Sequence, residues 1–371
     1  MSEWKKVKLG EITIIKTGKL DSNAAVPNGA YPFFTCDPTT LSIDKWAYDT
    51  EAILLAGNNA SGNYTAKYYK GKFNAYQRTY IIETLNPQFA SVRYMAYAMN
   101  QQLQLLKVMS SGSTTKFLTM KMLTQLSIDL PSIETQNHIA TILSRYDSLI
   151  ENYQKQIKLL EEAAQRLYKE WFVDLHFPGH ENTKIVNGVP EGWEYRKIGD
   201  IVIYYDKQRK PLSSMQRMSM EKIYPYYGAA TLMDYVDNYL FDGIYLLLGE
   251  DGTVITPDKF PVLQYVWGKF WVNNHAHVLR GKEGISTEFL FSMFKEMPIA
   301  DVVTGAAQPK ISQGRLSEKK ILIPSLKLIQ KWSSIAKHFF DRLRVLSEQV
   351  RLLTEARDRL LPKLMSGEIA V

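Results

Sequence analysis

The sequence predicts an α+β fold. Two homologous mixed α/β domains are separated by two long helices, which pair as an intramolecular antiparallel coiled coil with pseudo-twofold symmetry. Three observations predict it. Ten apolar-seam positions of one long helix recur 193 residues later in another. Short motifs of the globular parts recur at a similar offset, which wanders between 189 and 197 residues. Within each globular part, short β-rich runs alternate with Gly, Asn and Asp turns.

The bulk properties bound this reading. A chain of 371 residues exceeds one ordinary core. Its 45% hydrophobic and 22% charged residues describe a soluble globular protein. The opening MSEWKKVKLG lacks the apolar stretch of a signal peptide. The most apolar short run, Ile244 to Leu248, is too short to cross a bilayer. We therefore expect a cytoplasmic protein without a membrane partner. Cys36 is the sole cysteine, which excludes intrachain disulfides and cysteine-based metal sites. The net charge is +7, and the excess is uneven: residues 1–133 carry 14 Lys and Arg against 9 acids, and residues 327–364 carry 9 against 4. Such a distribution permits a polyanionic partner without requiring one.

The elements follow in order. The first domain spans residues 1–133 and the second 193–326, each closing on a strand that a proline stops: Leu126 to Pro131, and Ile321 to Pro324. Trp4-Lys5-Lys6-Val7-Lys8-Leu9-Gly10-Glu11-Ile12 is echoed by Trp193-Glu194-Tyr195-Arg196-Lys197-Ile198-Gly199-Asp200-Ile201, and Tyr31-Pro32-Phe33-Phe34 by Tyr224-Pro225-Tyr226-Tyr227. Helices are expected at Val92 to Val108 and Thr287 to Phe294. Ser132 and Ser325 stand where a hydroxyl caps free N–H groups. A central segment, 134–176, holds a long helix from about Glu134 to Phe172. An irregular bridge occupies 177–192, a second long helix 327–364 and a tail 365–371.

The seam of the first long helix is Ile139, Leu143, Tyr146, Ile150, Tyr153, Ile157, Leu160, Ala164, Leu167 and Trp171. That of the second is Trp332, Ala336, Phe339, Leu343, Leu346, Val350, Leu353, Arg357, Leu360 and Leu364. Steps of three and four keep one stripe facing a partner helix, and the seam spans ~48 Å at 1.5 Å per residue. An antiparallel pair within one chain satisfies both stripes; a parallel homodimer competes with it. Arg357, where the other copy has Ala164, is costly unless its head reaches solvent or a carboxylate. Such a position suits a seam that opens toward another protein.

Catalytic motifs are missing. There is no G-x-x-x-x-G-K-[ST] phosphate loop, no G-x-G-x-x-G turn and no Asn/Asp-Pro-Pro-Tyr motif of an adenine methyltransferase. His275-Ala276-His277 puts two imidazoles on one face of a strand, but further ligands are not spaced nearby, so no metal is expected. Binding chemistry is better represented. Asn58, Asn59, Ser61, Asn63 and Tyr64 follow an apolar strand, and Asp251 and Thr253 hold the equivalent place. Amides and hydroxyls on a turn suit base edges, although a plain β-turn explains the same residues. Gln77 and Arg78, and Asn273, Asn274 and His275, follow the Gly-Lys-Phe repeats. Thr114, Thr115 and Lys116 in one half, and Gln308 and Lys310 in the other, fit phosphate-positioning loops. Lys207, Arg209 and Lys210 form a basic cluster peculiar to the second half.

Together these residues resemble the specificity (S) subunits of Type I restriction–modification systems, over essentially the full chain. The resemblance rests on Trp-x-x-x-x-Leu/Ile-Gly-Glu/Asp-Ile at Trp4 and Trp193, on Gln308-Pro309-Lys310-Ile311-Ser312, on Leu167-Tyr168-Lys169-Glu170-Trp171-Phe172-Val173-Asp174, and on Leu360 to Ile369. It implies two target-recognition domains that each read one half of a split, asymmetric double-stranded DNA sequence, with the helices as the ruler between them. It further implies two modification subunits carrying S-adenosylmethionine that methylate adenine, and ATP-dependent, Mg-dependent restriction subunits that cut DNA. This chain itself is then a non-catalytic subunit without a cofactor. The unlike turn residues of the two domains imply unlike half-sites. A self-contained enzyme and a coiled-coil scaffold that binds proteins without DNA specificity are the alternatives.

Overall fold

The computed structural model describes residues 4–59, 64–109, 116–305 and 308–371. It divides into two compact units, Met1–Glu151 with Val350–Val371, and Asn152–Gln349. The division cuts both long helices, Ile133–Phe172 and Leu326–Met365. Each unit thus contains one globular domain and a segment of each helix.

In the first unit, strand Lys5–Lys8 pairs antiparallel with Ser127–Leu130. The one-turn helix Leu9–Ile12 follows, its entry fixed by the Glu11 carboxylate, which accepts the Lys8 N–H at 3.2 Å. This helix abuts Met120–Gln125 so closely that a Cβ on Gly10 would lie 2.8 Å from Thr124 Cβ, which accounts for the glycine in the repeated motif. A six-stranded sheet runs Thr13–Thr17, Thr79–Thr84, Tyr48–Ala56, Ala66–Ala75, Tyr31–Phe34, Leu41–Ile43 in spatial order. Its one parallel pairing joins Tyr31–Phe34 to Ala66–Ala75. Helix Val92–Met109 covers one face, where Ile53, Leu55 and Ile82 meet Tyr94, Met95 and Met99. Leu54, Phe34, Phe73 and Ile81 fill the other face. Because both faces are covered, Ala52 to Leu55 is buried at every position and reads as an unbroken apolar run. Ile53, Leu54 and Leu55 each contribute about 1.5–3 kcal/mol of burial.

The second unit repeats the order. Glu194–Lys197 pairs with Lys320–Ile323, and Ile198–Ile201 packs by Gln313–Glu318. Its sheet, however, is two four-stranded pieces: Val202–Tyr204, Ala276–Gly281, Tyr245–Gly249, Leu263–Val266; and Leu232–Val236, Tyr224–Tyr227, Lys269–Val272, Phe241–Asp242. The long hairpin of the first domain is interrupted here at Gly243 and Gly268. Helix Thr287–Lys295, capped by Ser286, covers the first piece.

The long helices start and stop within a residue of their expected ends. Ser132 and Ser325 cap them, accepting the N–H of Thr135 at 3.2 Å and of Leu328 at 3.4 Å. None of the twenty seam positions is exposed. In the first unit Ile139 and Leu143 share a core with Leu360 and Leu364. In the second, Ala164, Tyr168 and Trp171 share one with Trp332, Ala336 and Phe340, and the Tyr168 and Trp332 rings meet at 5.8 Å. The start of one helix thus packs against the end of the other, the antiparallel arrangement. The bridge contains a short turn, His180–Asn182, and a two-residue hairpin, Ile185–Val186 with Val189–Pro190.

Of the two outlets expected for the Arg357 head, solvent or a carboxylate, the structure supplies a carboxylate within the unit. Nη1 donates to Asp147 Oδ1 at 2.7 Å, and the Tyr97 hydroxyl donates to the other carboxylate oxygen. Burial and the Asp147 bond push the Tyr97 phenol well above its ordinary range, so it remains a donor at neutral pH. At the positions 193 residues away, Asp147 becomes Phe340 and Arg357 becomes Ala164, both buried in the second core. The polar pair of one copy is an apolar pair in the other.

The two sheets end alike. Gly57 N–H donates to the Arg78 carbonyl at 2.8 Å and Leu118 N–H to the Gly57 carbonyl at 3.0 Å; Glu250 N–H donates to His275 O and Ile311 N–H to Glu250 O, each at 2.8 Å. The Tyr80 hydroxyl donates to Leu118 O at 2.8 Å, and His277 Nε2 to Ile311 O at 2.8 Å. A Cβ on Gly57 would lie 2.8 Å from both Arg78 O and Tyr80 Cε2, so the tyrosine requires a glycine beside it, while the smaller imidazole accompanies Glu250. Gly57→Ala should therefore destabilise the first unit by about 1–3 kcal/mol in urea unfolding; unchanged stability would refute the close packing. Arg357→Ala, which leaves Asp147 half-satisfied, should lower stability by about 1 kcal/mol, and an unshifted unfolding midpoint would show the pair to be idle.

Candidate nucleic-acid interface

Candidates scattered along the sequence converge at these sheet ends. In the first domain, Asn58–Asn59 pairs with Lys116–Phe117, Asn58 opposite Phe117 and Asn59 opposite Lys116. Gln77 N–H donates to Leu20 O at 2.9 Å and its side-chain amide to Asp21 at 2.9 Å. Asn58, Asn59, Gln77, Arg78 and Lys116 thus share one edge, although they come from three separate segments. Arg78 is exposed and Asn58 half-exposed. Tyr64 is half-buried against the first core. Ser61, Asn63, Thr114 and Thr115 lie outside the described residues.

In the second domain, Asp251 bridges to Lys310, and Gly252 N–H donates to Pro309 O at 3.0 Å. Asp251, Thr253, Asn274, His275, Gln308 and Lys310 therefore gather at the corresponding edge. His275 Nδ1 stands 2.5 Å from Asp251 Oδ1. The register also adjusts one sequence equivalence: Lys310 occupies the place of Phe117, not of Lys116.

A charge network holds this second edge. Arg209 donates to Glu250 at 2.7 Å and to the carbonyls of Ala276 at 2.6 Å and Asn274 at 3.4 Å. His277 Nδ1 lies 2.6 Å from Asp206, and Lys310 Nζ 3.4 Å from Glu250. Asp206, Glu250 and His277 bring ligand-type atoms within 4.8 Å of one another. The protein's own cations, Arg209 and Lys310, supply the positive charge among them. No spacing in the sequence announced this grouping, because Asp206 precedes His277 by 71 positions.

Two expectations are corrected here. Arg209 is not a solvent-facing member of a basic cluster: its side chain is 12% exposed and its donors are used internally. Asn273 is 3% exposed; its carbonyl oxygen accepts the His275 N–H at 2.8 Å and its amide faces Met233 Sδ at 3.5 Å. Both shape the edge instead of facing outward from it. Lys207, Lys210, Thr253, Asn274, Gln308 and Lys310 remain exposed.

One contributor escaped the sequence reading. Lys67 reaches under the 35–40 loop, donating to Pro38 O at 2.5 Å and Thr40 Oγ1 at 3.3 Å, and burial pulls its pKa down against the opposing effect of Asp37. It lines a cavity of about 330 Å³ with Phe34, Cys36, Leu54 and Thr79. Gln264 performs the same task in the second domain, donating to Gly228 O at 3.0 Å. A lysine and a glutamine at unequal offsets give no repeat signal.

The comparisons with known proteins agree with this architecture. The family model for the Type I restriction modification DNA specificity domain matches twice, over residues 1–162 and 190–351. The Type I restriction enzyme EcoDI specificity subunit of Escherichia coli is 28% identical over 365 residues, covering 87% of this chain and 78% of the relative. The MjaIX specificity subunit of Methanocaldococcus jannaschii is 27% identical over 300 residues, covering 75% and 68%. The crystal structure of a Type-I restriction-modification system S subunit from M. genitalium has the same fold, with a TM-score of 0.65 at 20% identity over 98% of this chain and 96% of that one. The two matched domains place this chain in the Type I restriction modification DNA specificity family.

Proposed function

We propose that the chain reads a bipartite, asymmetric double-stranded DNA target, one half per domain, and directs adenine methylation and restriction carried out by partner subunits. The observation that carries this reading is the pair of sheet ends: their backbone hydrogen bonds match, while the side chains they present differ. A common frame with unlike donors and acceptors is what two unlike half-sites demand.

The chain's own part is address. Its exposed Lys207, Lys210 and Lys310 flank the second edge, where phosphates position a duplex and base contacts specify it. The long helices act as the spacer between the half-sites. S-adenosylmethionine, ATP and Mg belong in this reading to two modification subunits and to the restriction subunits, and the purified chain alone neither methylates nor cuts.

Sequencing of N6-methyladenine in cells with and without the gene should show one split motif lost with the gene, and replacing residues 1–133 with those of another family member should change only one half of it. A change in both halves would refute the division of labour, and the absence of any split footprint with partner subunits present would favour a scaffold. Removing Lys207 and Lys210 together should weaken DNA binding evenly across sequences and lower the slope of log affinity against log salt by about one for each phosphate no longer neutralised. A sequence-selective weakening with an unchanged slope would rule out a phosphate role.

A further inference from the structure

At each sheet end, a single backbone junction brings together two positions from different segments. Gly57 N–H bonded to Arg78 O sets Asn58 beside Arg78; Glu250 N–H bonded to His275 O sets Asp251 beside His275. The position pairs correspond, at offsets of 193 and 197 residues. In the second domain the two side chains touch, Nδ1 to Oδ1 at 2.5 Å. Arg78 and His275 are exposed, and Asn58 and Asp251 half-exposed.

The supports behind each pair differ in chemistry but act at the same place. Arg209 donates to the carbonyls of Asn274 and Ala276, the residues on either side of His275, and to the side chain of Glu250 next to Asp251. In the first domain Gln77, which precedes Arg78, is held by Leu20 O and Asp21. Fixed neighbours set the direction in which a side chain leaves the backbone, and selective readout requires that.

Resting on the reading given under Proposed function, we propose that positions 58 and 78 and positions 251 and 275 are the matched base-reading positions of the two half-sites, set for adenine and guanine in the first and for a cytosine·guanine pair in the second. The asparagine amide both donates and accepts, which matches adenine N6 and N7, and the arginine fork matches guanine O6 and N7. A carboxylate only accepts, so Asp251 is served by cytosine N4 and opposed by the acceptor edges of guanine and thymine. His275 Nδ1–H donates to the Asp251 carboxylate, and when both ring nitrogens carry a proton its Nε2–H is the donor that O6 or N7 of the guanine paired with that cytosine accepts.

The test uses the full chain with its modification subunits in a host lacking adenine methylation, with motifs read by N6-methyladenine sequencing. Asp251→Asn should relax or replace cytosine at one position of one half-motif, shifting base discrimination by on the order of 10- to 100-fold, and leave the other half untouched. Asn58→Asp should do the converse, at one position of the other half only. Wild-type motifs from both variants, changes in both halves from either, or loss of all methylation by both variants in complexes that still assemble would overturn the assignment. A wild-type complex that yields no split motif would instead overturn the reading beneath it.

Discussion

Burial of the apolar stripes on the two long helices is the constraint on which the rest of the structure depends. Neither stripe can face water, and neither domain core closes without it. The first core takes Leu364 and Met365 from the second long helix alongside Ile139 and Leu143 from the first. The second core takes Ala164, Tyr168 and Trp171 from one and Trp332 and Phe340 from the other. The helices are therefore part of both cores, not struts attached to finished domains. This also explains why their register is retained at 193 residues while the loops have drifted.

Duplication left two copies free to change wherever a compensating change was available. Gly57 with Tyr80 and Glu250 with His277 are two solutions for one packed corner, and in each the ring tethers a backbone carbonyl, of Leu118 in one and Ile311 in the other. Asp147 with Arg357 and Phe340 with Ala164 solve one helix contact with polar and with apolar chemistry. Tyr68 and Tyr265 occupy matching strand positions, yet Tyr68 donates to Glu51 under the Arg93 guanidinium, whereas Tyr265 is gripped by Glu288 and Arg344. What persisted is geometry; what changed is the chemistry mounted on it.

The fold was legible because period and repeat are local or self-referential signals. Seam spacing specified both helices to within a residue, Pro131 and Pro324 marked the ends of the closing strands, and the Trp4 and Trp193 motifs announced the duplication. The candidate edge was only partly legible. Turn residues such as Asn58, Arg78, Asp251 and His275 could be found one segment at a time, but their convergence depends on strand pairing across long separations. The inward placement of Arg209 and Asn273 is not legible in the sequence, because a polar residue in a loop looks solvent-facing until its partners are known. Those partners, Glu250 and the carbonyls of Asn274 and Ala276 for one and the His275 N–H for the other, come from pairing that composition does not reveal. The split of the second sheet at Gly243 and Gly268 was hidden for the same reason.

The lodging of Leu364 beside Leu143 has a temporal consequence. The amino-terminal domain is translated early, but the hydrophobic side chains that seal its floor are encoded more than two hundred codons later. At typical synthesis speeds that delay lasts on the order of tens of seconds. Throughout it, the nascent domain exposes an unsealed apolar surface, and a chaperone or a neighbouring chain has the opportunity to occupy it first.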